Sequence, residues 1–276
     1  MQFELPIQPN YALAGAQGPQ GGVTMTCYLL KASDDMPAMK EKPMVIVCPG
    51  GGYQFRSDRE AEPIATQLMA AGMHVGILNY SVDTYRYPVA ALEAAQAVRE
   101  VRRHAAEWHV IPDQVYIMGF SAGGHLACTL GTLWNDPLFH QVMGEPVDWR
   151  PDAQLLCYPV VTMDEFTHVG SRNHLLGEDA SQDMIDALSL EKRVTGDAVP
   201  AFIWHTQEDA SVPVENSLQY VCALRRNKVP FELHIFEKGA HGMSLCNRLT
   251  SNLPKDSYAD NTVWIDMLIR FLERRM

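Results

Sequence analysis

The sequence predicts an α/β fold: a doubly wound, mostly parallel sheet with a short cap-like insertion after the strand near residues 154–158. Two observations lead there. From about residue 44 to the end, short apolar or β-branched runs alternate with helical patterns, as they do when helices cover both faces of a parallel sheet. From about residue 160 to 199 that rhythm breaks, and polar residues mix with one short helical stretch around 181–190. A chain of 276 residues, 47% of them hydrophobic, can bury one large core, so a single domain over residues 1–276 is expected, with the insertion at about 160–199.

The elements follow in order. The first forty residues read as an irregular lead-in with one strand near 24–30. Strands are expected at 44–48, 75–79, 115–119, 154–158, 201–205 and 232–236. Between the first two of these, Pro63 suits a first helical turn, Ile64, Ala65, Leu68 and Met69 share one face, and Gly72 can close the helix. Leu92, Ala95, Val98, Val101, Ala105 and Trp108 recur at spacings of three or four, which predicts one amphipathic helix over 89–108, stopped by Pro112. Arg99, Arg102 and Arg103 would form its wet face.

Composition excludes several function classes. A formal net charge of −11 argues against nucleic acid as a partner, because phosphate binding needs clustered Lys and Arg to displace counterions. The first thirty residues show no basic start followed by an apolar run and a small-residue cleavage site, and no stretch approaches the roughly 18 apolar residues of a membrane span. A cytoplasmic protein with no membrane partner is the expectation. The six cysteines, Cys27, Cys48, Cys128, Cys157, Cys222 and Cys246, form no C-x-x-C pair or Cys/His ligand spacing, and read as buried free thiols rather than a metal site.

Three short segments carry chemistry. Gly119-Phe120-Ser121-Ala122-Gly123 lies directly after one predicted strand and before the helical stretch 125–133. A serine on such a turn has strained backbone angles, and its flanking glycines leave room where a Cβ would strike neighbouring backbone. Ser121 is therefore the candidate nucleophile, at the positive end of a helix. Pro49-Gly50-Gly51-Gly52-Tyr53 follows the strand at 44–48, and three glycines let backbone N–H groups converge on one oxygen. Gly51 and Gly52, with Ala122 after the nucleophile, are the candidate oxyanion hole; no Lys-Ser or Lys-Thr follows, so a phosphate loop is disfavoured. Gly239-Ala240-His241-Gly242 follows the strand at 232–236 and makes His241 the candidate base. Among the ten histidines its strongest rival is His125, which reads as packing beneath the serine turn. Asp209, a few residues after the strand at 201–205 and before Val212-Pro213, is the candidate acid that orients the base; Glu208 beside it and Glu178 and Asp179 in the insertion are the alternatives.

Taken together, the P-G-G-G-Y loop, G-F-S-A-G-G-H-L-A, H-T-Q-E-D-A-S-V-P and F-E-K-G-A-H-G resemble the acetyl xylan esterase-like branch of the α/β-hydrolases, from about residue 40 to the end. The resemblance implies the α/β-hydrolase fold and a carbohydrate esterase without cofactor. It carries over Ser121, Asp209 and His241 as nucleophile, acid and base. Pro49 departs from the wider pattern, standing where many relatives of the hormone-sensitive lipase type have the His of H-G-G-G. Ser57, Arg59, Glu60 and Glu62 read equally as an entrance lining and as solvated helix-start charges, and stay outside the catalytic set.

Three functions remain open at this stage. One is a serine esterase acting through an acyl-enzyme on a small-molecule or oligosaccharide ester, preferentially an acetylated sugar, with the polar residues of 162–186 offering hydrogen bonds to hydroxyls. A second keeps the machinery but cleaves amides, as a peptidase or arylformamidase would. The third is a non-catalytic binding protein on a hydrolase scaffold.

Overall fold

A computed structural model of the chain describes residues 1–251 and 259–275. Its eight-stranded sheet comprises β1 (Gln2–Ile7), β2 (Val23–Tyr28), β3 (Lys42–Cys48), β4 (His74–Leu78), β5 (Val110–Phe120), β6 (Ala153–Cys157), β7 (Ala201–Thr206) and β8 (Phe231–Phe236). The spatial order is β1-β2-β4-β3-β5-β6-β7-β8; β1 and β2 run antiparallel, and the strands from β4 to β8 are parallel. The helices are α1 (Glu62–Ala70), α2 (Val89–Arg103), α3 (Ala105–Trp108), α4 (Ser121–Leu133), α5 (Pro137–Met143), α6 (Val169–Leu176), α7 (Gln182–Ala187), α8 (Glu215–Arg226) and α9 (Trp264–Glu273). Among them no helix is long and apolar enough to cross a membrane.

Strand pleating divides the core. Met44, Ile46, Val115 and Ile117 belong to a cluster with α2 and α4, while Val45, Val47, Tyr116 and Met118 pack on the other face with α1 and α9. A strand buried on both faces must be apolar at every position, which is why β3 reads as a near-continuous apolar run. After β3 the chain crosses one face through α1 to β4, then returns over the other face through α2 to β5 on the opposite side of β3. The loops after β3 and β5 therefore diverge at a switch in strand order, where such sheets leave a crevice at the carboxyl ends of their strands.

The doubly wound, mostly parallel sheet is as the sequence predicts, and three details differ. The lead-in holds two strands, since β1 pairs with all six residues of β2. The polar and proline-containing run QFELPI belongs to an edge strand with one wet face, where Pro6 lacks no essential donor. The helix expected over 89–108 breaks after Arg103: His104 stacks on Trp108 at 4.6 Å and His109 turns left-handed at φ 56°. Pro112 lies inside β5, where the pairing with β3 is irregular between Val110 and Val115 and no ladder donor is missed. Finally, Arg99 is buried, with its Nε donating to Asp148 at 2.5 Å and its guanidinium over Trp149, and Arg102 pairs with Asp152 at 3.0 Å. The segment around residues 148–152 covers a helix face that the arginines alone would mark as wet. Of the cysteines, Cys222 is exposed on α8 and the other five are buried.

His125 joins three parts of this frame. It is fully buried in α4; its Nε2–H donates to the carbonyl of Leu188 at 3.0 Å, and its Nδ1 accepts from the Tyr53 hydroxyl at 3.0 Å. Burial pushes its pKa down from 6.5 to about 4. Between those values the unfolded chain takes up a proton that the folded chain refuses, so stability is complete above pH 6.5 and falls with acidification towards pH 4. The expected loss at pH 5 is about 2 kcal/mol from this one group. Denaturant unfolding at pH 7 and pH 5 checks it: His125→Gln should shrink the difference between the two by about that amount, and an unchanged difference would refute the assignment.

Candidate active site

The turn that carries Ser121 is built by close approach. Ser121 follows β5 directly and starts α4 with φ 54°, a left-handed angle that costs a non-glycine residue on the order of 1–3 kcal/mol. A Cβ on Gly119 would lie 2.0 Å from the carbonyl oxygen of Gly123, and one on Gly123 would lie 2.1 Å from that of Cys48, so only glycine fits at either position. The amide of Ala122, in the first turn of α4, has no intrahelical acceptor.

Two hydrogen bonds of 2.7 Å link three distant segments: His241 Nε2 to Ser121 Oγ, and His241 Nδ1 to Asp209 Oδ2. Asp209 sits in the loop after β7 with its side chain fully buried, and His241 in the loop after β8. The other carboxylate oxygen, Oδ1, accepts from the amides of Ser211 at 3.0 Å and Val212 at 2.9 Å. His205 Nε2 stands 3.3 Å from Oδ2 on the far side. Burial by itself would raise the Asp209 carboxyl, but the His205 ring beside it and the hydrogen bonds from His241 and the Val212 amide hold it well below the usual carboxylate range. It stays an anion. Glu208, by contrast, is turned outward into an ion pair with Lys238 at 2.8 Å, and Glu178 and Asp179 are both exposed.

The glycine loop after β3 folds back on itself, with the amides of Gln54 and Phe55 both donating to the carbonyl of Gly51. Gly51 has φ 131°, and a Cβ there would lie 2.1 Å from the carbonyl oxygen of Phe55. Among the described residues nothing accepts from the amides of Gly51 or Gly52. These two residues line a cavity of about 440 Å³ together with Ser121 and His241. No group of three or more His, Cys, Asp or Glu among the described residues is placed to hold a metal ion.

Residues 35–224 match the BD-FAE family. The chain belongs to that family, within the α/β-hydrolase superfamily. It is 34% identical over 213 residues to endo-1,4-beta-xylanase B of Butyrivibrio fibrisolvens, covering 75% of this chain and 33% of that protein. It is 31% identical over 228 residues to an acetylxylan esterase of Xylanibacter ruminicola, covering 80% of this chain and 44% of that one. The chain thus spans less than half the length of these two curated relatives. A solved acetyl ester-xyloside bifunctional hydrolase of Caldicellulosiruptor lactoaceticus superposes with a TM-score of 0.83 at 35% identity, covering 99% of this chain and 96% of that one.

In this BD-FAE family member the insertion at 160–199 does two things. Its first half supplies one cavity wall through His168, Gly170 and His174 at the start and middle of α6, whereas Leu188, Leu190, Val194 and Val199 are buried in the main core. It is a flank bonded into the fold more than a cover laid over it. His168 caps α6, its Nδ1 accepting from the amide of Ser171 at 3.1 Å, which leaves Nε2 as the ring's donor. Burial, with His241 nearby, lowers its pKa and keeps it neutral. In the sequence His168 is one polar residue among many in 162–186, and no local motif marks it. The entrance lining expected of Ser57, Arg59 and Glu60 is what the structure shows, whereas the burial of Glu60 is not marked in the sequence. Glu60 is only 3% exposed, lines the cavity and accepts from the amide of Gly50 at 2.8 Å; the charged neighbours Asp58, Arg59 and Glu62 concealed a buried carboxylate among solvated ones.

Proposed function

We propose that this chain is a serine esterase that removes short acyl groups, acetyl foremost, from sugars or xylo-oligosaccharides. The observation that carries the reading is the pair of 2.7 Å bonds from His241 to Ser121 and Asp209, at a cavity that also presents two unpaired glycine amides. Ser121 Oγ attacks the ester carbonyl as His241 Nε2 takes its proton, and Asp209 holds Nδ1–H and stabilises the imidazolium that forms. The amides of Gly51, Gly52 and Ala122 receive the developing oxyanion. His241 then protonates the leaving alcohol and activates the water that hydrolyses the acetyl-enzyme.

Two lines support the substrate class. An acetylxylan esterase and an acetyl ester-xyloside hydrolase are among the relatives, at 31% and 35% identity. The cavity lining carries His168, His174, Arg59 and Ser211, side chains that hydrogen-bond hydroxyls and offer little to a fatty chain. The test compares kcat/KM on acetylated xylo-oligosaccharides with nitrophenyl acetate, butyrate and octanoate. Acetate should exceed octanoate by about tenfold or more, given what a few misplaced methylenes cost. A preference for octanoate, or no acetate released from any acetylated sugar, would overturn the substrate class.

A further inference from the structure

A carboxylate buried beside a nucleophile that needs to stabilise an anion is an unexpected neighbour. Glu60 is such a group, and every polar atom of it is engaged. Its Oε2 accepts from the Gly50 amide at 2.8 Å, and its Oε1 accepts from the Tyr158 hydroxyl at 2.6 Å. The same Tyr158 oxygen accepts from the amide of Ser244 at 2.9 Å, three residues beyond His241. The Tyr158 ring stands edge-on to the His241 ring, with centroids 5.2 Å apart. Backbone bonds run in parallel: Ser244 Oγ donates to the carbonyl of Arg59, and the Arg59 guanidinium donates to the carbonyl of Thr250 at 3.1 Å. A Cβ placed on Gly50 would lie 2.7 Å from Glu60 Oε2 and 3.0 Å from the Ser121 Cβ, so the carboxylate is wedged against the turn that faces the nucleophile.

Chain order makes this contact unusual. Glu60 and Tyr158 are 98 residues apart, and Tyr158 and Ser244 are 86 apart. The network joins the loops after β3, β6 and β8, and no other described side chain bonds to both the glycine loop and Tyr158. Burial pushes the Glu60 carboxyl upward, against the bonds from Tyr158 and Gly50 that favour its anion. A residue that only filled this space would serve better as an apolar side chain.

We propose that Glu60 is a positioning residue for ester hydrolysis, tying the oxyanion loop to the base loop through Tyr158. One carboxylate oxygen holds the head of the glycine loop, so that the amides of Gly51 and Gly52 point at the reacting carbonyl. The other, through Tyr158 and Ser244, sets the loop that carries His241 at hydrogen-bond distance from Ser121. The inference rests on the serine-esterase reading above.

Glu60→Gln keeps the shape, but its amide presents one acceptor where two donors now point. Tyr158→Phe removes only the bridging hydroxyl. Each is expected to lower kcat on nitrophenyl acetate by about 10- to 100-fold, as misplacement near an ångström does, with KM within about threefold of wild type. The double variant should be no more than about threefold worse than the poorer single one, because both cut one linkage. The rate of fluorophosphonate labelling, which uses the same nucleophile and oxyanion hole without a chosen ester, should fall in parallel. Circular dichroism confirms folding; if Glu60→Gln does not fold, Tyr158→Phe decides. A folded variant with kcat within about threefold of wild type, a loss confined to KM, or fully additive losses would overturn the role. Wild type that labels while both variants label equally fast overturns the positioning role alone; wild type that does not label overturns the serine reading with it.

Discussion

Ser121→Ala is expected to lower kcat for ester hydrolysis by about five to six orders of magnitude while leaving the fold intact. On the proposed mechanism the loss is that large because nucleophile, base and acid would act as a unit: without Oγ, the proton transfer organised by His241 and Asp209 has nothing to act on. Folding should survive for a local reason. Ser121 Oγ bonds only to His241 among the described residues, and alanine removes one partly solvated hydroxyl without adding a group that must be housed. The strained φ of 54° remains and costs both residues about equally. Residual turnover from the glycine amides and the cavity is expected to stay measurable over water. Hydrolysis of nitrophenyl acetate beside near-ultraviolet circular dichroism checks both halves. Activity within tenfold of wild type would remove Ser121 as the nucleophile.

Asp209→Asn is expected to cost about 10⁴ in kcat through a change of tautomer, with little change in shape. The amide cannot choose its orientation freely. Its Oδ1 must take the place that now accepts from the amides of Ser211 and Val212, since an NH₂ there would face two donors. The NH₂ is then aimed at His241 Nδ1, which must accept, and the ring proton moves to Nε2, the atom that should receive a proton from Ser121. His205 adds to the penalty, because its Nε2–H already donates to the carbonyl of Val212 at 3.0 Å and stands 3.3 Å from the new NH₂. The pH profile of kcat/KM for Asp209→Asn and Glu208→Gln distinguishes the two carboxylates. Glu208, held outward by Lys238, should be replaceable at less than about threefold cost, in keeping with an exposed ion pair. Harmless Asp209→Asn beside damaging Glu208→Gln would reverse the choice of acid.

Ser121 and the glycine loop were legible as candidates because a local requirement leaves a mark in a few consecutive residues, whereas His241 and Asp209 were picked by their place after predicted strands, with His125 and Glu208 as rivals, and only the tertiary structure brings them to Ser121. A turn that brings Gly123 within 2.1 Å of a backbone oxygen admits only glycine, and a strand buried on both faces admits only apolar residues, so G-x-S-x-G after such a strand can be read without knowing the partner segments. The alternation of strands and helices, and with it the doubly wound sheet, is local in the same sense.

Contacts between distant segments are what the sequence by itself left undetermined. Glu60 looks like its solvated neighbours Asp58 and Glu62 until Tyr158, 98 residues away, covers it. Arg99 looks wet until Asp148 and Trp149 fold over α2. The edge strand β1 is specified mainly by its antiparallel partner β2, whose residues begin 16 positions after β1 ends. Burial of a charge depends on what the remainder of the chain lays on top of it, and a desolvation cost of several kcal/mol per ion is recovered only by partners brought from elsewhere. The sequence therefore determined which groups of this protein could do chemistry. The tertiary structure decided which of them meet, because hydrogen-bond distance across a hundred residues is a property of packing and has no local signature.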